Sequence, residues 1–118
     1  MSWFKKRAMS DVLRIQRNIT RLEDLKKKIH DLGGFVLATQ SGGFQVLSDL
    51  LNENIVLGRP NIRERLESAL IGENNQKVAL DSPQRFQQIM IDVESLVERE
   101  IGKEKRGLRE ILSEEKDD

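Results

Sequence analysis

Seven apolar residues, Val12, Ile15, Ile19, Leu22, Leu25, Ile29 and Leu32, recur along this chain at steps of three and four. That spacing returns to one side of an α-helix at every turn, whereas a strand would alternate its faces every second residue. The series predicts a long amphipathic helix over residues 10–32, spanning ~34 Å at ~1.5 Å per residue. Ser10 and Asp11 offer N-cap chemistry, and Gly33-Gly34 offers the αL geometry that ends helices. Lys26, Lys27, Lys28 and His30 place positive charge at the negative end of the helix dipole. Phe4 and Ala8 stay in phase, so the helix can extend back to Trp3. An apolar stripe of this length needs a partner of similar length.

Composition restricts what that partner is made of. With 37% apolar residues, 34% charged residues, four Phe, one Trp and two Pro, the chain has too few aromatic and turn residues for a sandwich or barrel. At 118 residues it has room for one thin core. The expected fold is all-α, a small irregular bundle or helical hairpin, with residues 1–112 as one domain and 113–118 as a frayed acidic tail. No apolar run reaches the ~18 residues of a membrane span, and the N-terminus has no signal-peptide core, which weighs against a membrane role and places the chain in the cytoplasm.

The remaining helices are marked by two internal echoes. Gly33-Gly34-Phe35-Val36-Leu37 resembles Gly42-Gly43-Phe44-Gln45-Val46-Leu47. The favoured reading makes residues 44–51 a short helix, with Val46, Leu47, Leu50 and Leu51 inward. The alternative turns a small β-hairpin over 35–47 at Ser41-Gly42-Gly43. The second echo sets Val56-Leu57-Gly58-Arg59-Pro60-Asn61 against Ala79-Leu80-Asp81-Ser82-Pro83-Gln84, each reading as a loop that enters a helix with proline in its first turn. The first such helix, about 60–72, would bury Ile62, Leu66, Ala69 and Leu70 and end near Gly72. The second, about 82–101 and capped by Asp81 or Ser82, carries Phe86, Ile89, Met90, Val93, Leu96, Val97 and Ile101, and is the natural partner for the helix before it. Gly102 and Gly107 then bracket a charged stretch, followed by a short amphipathic turn or two at Leu108, Ile111 and Leu112.

Catalytic chemistry finds little support. There is no Cys and a single His, so thiol catalysis, zinc-thiolate sites and His-paired metal sites lack their ligands, and no cofactor or metal is implied. His30 reads as a surface residue near a helix end. Glu64 with Glu67, and Glu94 with Glu98 and Asp92, share helix faces as any 20 acids would, and read as solvated faces rather than acid–base pairs. Neither Gly-Gly pair has the Lys-Ser/Thr context of a phosphate loop. The chain is therefore not expected to be an enzyme.

Charge is more informative. Lys/Arg and Asp/Glu balance at 20 each, yet residues 1–32 carry nine against four and residues 92–118 carry six against ten. Arg7, Arg14, Arg21 and Lys28 recur every seven residues, with Arg17 between them, as a basic ridge beside the apolar stripe. Such a ridge suits phosphate tracking on nucleic acid, or is neutralised by acidic residues of this chain or a second copy. Trp3-Phe4 before Lys5-Lys6-Arg7 offers too little area for a membrane anchor.

Two functional expectations follow. The first is a non-enzymatic interaction module, an adaptor, inhibitor or assembly component, that pairs Val12, Ile15, Ile19, Leu22, Leu25 and Ile29 with a protein partner or a second copy in coiled-coil fashion, with Lys26 limiting the register. The second is a nucleic-acid-binding protein that uses Arg7, Arg14, Arg17, Arg21 and Lys28 on phosphates.

Overall fold

The computed structural model describes residues 3–35, 40–70 and 83–116, with side chains placed over 9–32, 45–69 and 84–113. All described elements are helices: α1 (Trp3–Phe35), α2 (Gln40–Leu51), α3 (Asn54–Leu57), α4 (Pro60–Leu70) and α5 (Pro83–Lys116). The expected all-α bundle is the observed one.

The two long helices set the shape. At 33 and 34 residues, α1 and α5 are each ~50 Å long by the ~1.5 Å rise, and the molecule measures 58 × 23 × 19 Å. They run antiparallel, because Asn18 meets Glu104, Lys26 meets Glu98 and His30 meets Glu94. Their seam is the largest interface among the described helices, and α5 also packs on α4.

The core draws on every helix: Leu22, Leu25, Ile29 and Leu32 of α1; Leu47 and Leu50 of α2; Ile55 and Val56 of α3; Ile62, Leu66 and Ala69 of α4; and Phe86, Ile89, Met90, Val93, Val97 and Ile101 of α5. Burying each such Leu, Ile, Val or Phe contributes ~1.5–3 kcal/mol, which organises a chain this lean. This cluster takes nothing from α1 before Leu22 or from α5 after Ile101. Five helices therefore form a body at one end of the molecule, while the other end is the α1–α5 pair, sealed by buried Ile15 and half-buried Val12, Ile19, Leu108 and Ile111.

Several expected boundaries are corrected. Ser10 and Asp11 do not cap α1, which begins at Trp3; Asp11 instead pairs with Arg14 one turn on. Gly33 and Gly34 lie inside its last turn. The hairpin alternative for 35–47 is excluded over its described part, because α2 is helical from Gln40 through Ser41-Gly42-Gly43. The stretch Val56-Leu57, read as loop, belongs to the one-turn α3, whose Ile55 and Val56 are buried. Pro60 opens α4 as expected.

The largest correction concerns α5, which passes through both Gly102 and Gly107 and on to Lys116. A glycine in a helix interior costs ~1 kcal/mol, but stopping at Ile101 would strip α1's outer half of the only long neighbour it has among the described residues. Burial along that seam outweighs the two glycines. The proposed stop at Gly72 and the caps Asp81 and Ser82 lie outside the described residues.

Candidate interaction surfaces

The apolar stripe of α1 is mostly consumed within the chain. Leu22, Leu25 and Ile29 are fully buried and Ile15 is 6% exposed, while Val12 and Ile19 are half-buried. The stripe is longer than short helices such as 44–51 and 60–72 can cover, which points to an external partner; α5, running to Lys116, provides that cover within the chain. Lys26 sits at the stripe's edge and is ion-paired with Glu98, a hydrogen bond that raises its pKa above the ordinary 10.5.

On α1, what remains for contact is the side opposite the stripe. Met9, Leu13, Thr20, Lys27 and Asp31, at steps of four and seven, share the face turned away from the core, and all are exposed. Met9 is 54% and Leu13 57% exposed, one turn apart at the two-helix end. The sequence held this signal, since Leu13 falls out of phase with the core series.

The basic ridge divides into bound and unbound cations. Lys28 donates to Glu53 (2.9 Å) and pairs with Asp24 (3.2 Å), and those hydrogen bonds raise its pKa. Arg14 lies 3.7 Å from Asp11. Arg17 and Arg21 are exposed and pair with no carboxylate among the described residues. The side chain of Arg7 lies outside those described. The body tells a different story, because Arg63 pairs with Glu67 and Arg65 with Asp92 (2.6 Å).

Where body meets two-helix end, Arg59 joins the parts. Its guanidinium reaches Glu100 (3.7 Å) and Glu104 (3.2 Å) of α5 and donates to the Ile55 carbonyl closing α3 (3.2 Å). Asn18 of α1 donates to the same Glu104 oxygen at 3.5 Å. Arg59 is 16% exposed, and its Nε, buried, makes no hydrogen bond. Such charges, drawn partly out of water, hold position through paired geometry.

Among the described residues no group of three or more His, Cys, Asp or Glu is placed to hold a metal ion. His30 is 74% exposed, with its Nδ1 3.2 Å from Glu94. A shallow open groove nearby is lined by Lys26, Ile91, Glu94, Ser95, Glu98 and Arg99. No helix among the described residues is long and apolar enough to cross a membrane. Comparison with protein-family models, curated proteins and solved structures finds no match.

Proposed function

We propose that the chain is a non-enzymatic helical protein–protein interaction module, an adaptor, inhibitor or assembly component, and that it works through the outer face of α1 at the two-helix end. One observation carries this reading: Met9 and Leu13, two large apolar side chains one turn apart, are more than half exposed where no third helix packs among the described residues. A helix face that places apolar anchors at i and i+4 beside Arg17 is the form in which helices dock on protein grooves or on one another.

Nucleic acid is the competing reading, favoured by exposed Arg17 and Arg21. Against it, Lys28 and Arg14 are held by carboxylates, so the heptad ridge does not offer a continuous track of free cations. Apolar Met9 and Leu13 also have no use for phosphate.

A photo-crosslinking residue placed at Leu13 in the full chain, expressed in its native host, tests the proposal, with Val46 of the body as the control position. Protein adducts from position 13 in excess of those from 46 are expected. Adducts to nucleic acid alone, or equal labelling from both positions, would overturn it.

A further inference from the structure

Charge is segregated along the 58 Å axis although the chain as a whole is neutral. Residues 3–21 and 102–116, which make the two-helix end, contain eleven Lys and Arg against five Asp and Glu, a net of +6, whereas the described body, residues 22–35, 40–70 and 83–101, contains eight against eleven, a net of −3. Ion pairing sharpens the division. At the two-helix end the exposed cations Arg17, Arg21, Lys105, Arg106 and Arg109 have no carboxylate partner among the described residues, and only Glu110 is left over as an acid. In the body the exposed acids Glu23, Asp31, Asp49 and Glu64 are unpaired with any described cation, against the exposed cations Lys27, Arg85 and Arg99, so what is left over there is slightly acidic.

We infer that the occupant of the α1 outer face is a second copy of this chain, arranged antiparallel so that the basic end of each lies on the acidic body of the other. This rests on the interaction-module reading and names its partner. A two-fold pairing satisfies both charged ends at once and closes on itself, whereas parallel copies would set basic end on basic end. Zero net charge removes the long-range repulsion that keeps like molecules apart. The outward-facing half of α1 carries both halves of the match, Arg17 at one end and Glu23 with Asp31, outnumbering Lys27, at the other, with Met9 and Leu13 available to be covered.

Sedimentation equilibrium of the full chain across a salt series tests this. A dimer is expected at low salt that weakens as the screening length shrinks from ~30 Å at ~0.01 M to ~3 Å at ~1 M. Arg17→Glu with Arg21→Glu in one chain, and Glu23→Lys with Asp31→Lys in another, should each raise the dimer dissociation constant about tenfold or more, with helical content unchanged. Mixing the two variants should restore a heterodimer, because the reversed charges then match. A wild-type chain monomeric at low salt, a reversed variant that still dimerises, or a mixture that fails to pair would overturn the second copy as occupant. So would a monomer that instead binds duplex DNA or polyglutamate. Crosslinks from Leu13 to a different protein would sink this inference while leaving the interaction-module reading intact.

Discussion

Replacing Gly102 and Gly107 with alanine should stabilise the protein. Both residues sit in the interior of the 34-residue α5, and a Cβ at either would meet nothing within 4 Å. Neither glycine is therefore required by close packing, and each substitution should gain the intrinsic Gly-to-Ala helix difference of ~1 kcal/mol. The two positions share no neighbour in the way, so the double variant should gain ~2 kcal/mol. An unfolding entropy of ~2.1 cal/mol/K per residue gives ~0.25 kcal/mol/K for a chain of this size, so Tm should rise ~4 °C for each single variant and ~8 °C for the double. Urea unfolding followed by circular dichroism should show a higher midpoint with an unchanged slope, since no additional surface is buried. A midpoint that stays put or falls would mean that α5 does not run unbroken through these positions, and the account of how α1's outer half is covered would fail with it.

Other substitutions separate the core from the surface. Leu25→Ala, at a fully buried position, should cost ~2–5 kcal/mol in the same urea assay, whereas Leu13→Glu, on the exposed face, should change stability by less than ~0.5 kcal/mol. Arg59→Met should cost ~2–3 kcal/mol by leaving Glu100 and Glu104 drawn partly from water without their guanidinium, and a double-mutant cycle with Glu104→Gln should show coupling well above that of an exposed ion pair. The Asp92 carboxyl is held below its ordinary 3.8 by hydrogen bonds from Arg65 and then Gln88. Its contribution is thus present above that value and lost as pH falls through the lower folded-state value, so the stability gap between wild type and Asp92→Asn should narrow on acidification; a gap independent of pH would refute this.

The core was largely legible in the residues. Ile15, Leu22, Leu25, Ile29 and Leu32 are buried as their spacing predicts, as are Ile62, Leu66, Phe86, Ile89, Val93, Val97 and Ile101. Periodicity succeeds there because one side of a helix is either covered or not. It fails at glycines, where local propensity argues for a stop but tertiary burial decides. Gly42-Gly43, a turn in the hairpin alternative and outside the 44–51 helix, and Gly102 and Gly107, beyond the expected helix end at 101, each lie inside a helix. Arg59 was invisible as a junction because its partners Glu100 and Glu104 lie more than forty residues away, with nothing local to announce them. The candidate contact face was missed for a related reason. A series chosen for its apolar phase leads to the core, and Met9 and Leu13 stand out only once that core is seen to be filled.

The central claim is that the outer face of α1, rather than its apolar stripe, is the working surface, and one comparison tests it most directly. A photo-crosslinking residue at exposed Thr20, on that same face, is introduced into chains with and without Leu13→Glu, and adduct yield is measured alongside thermal melting. The account predicts that Leu13→Glu abolishes the adducts while leaving the melt unchanged within ~2 °C. Adducts that persist in the folded Leu13→Glu chain would contradict it.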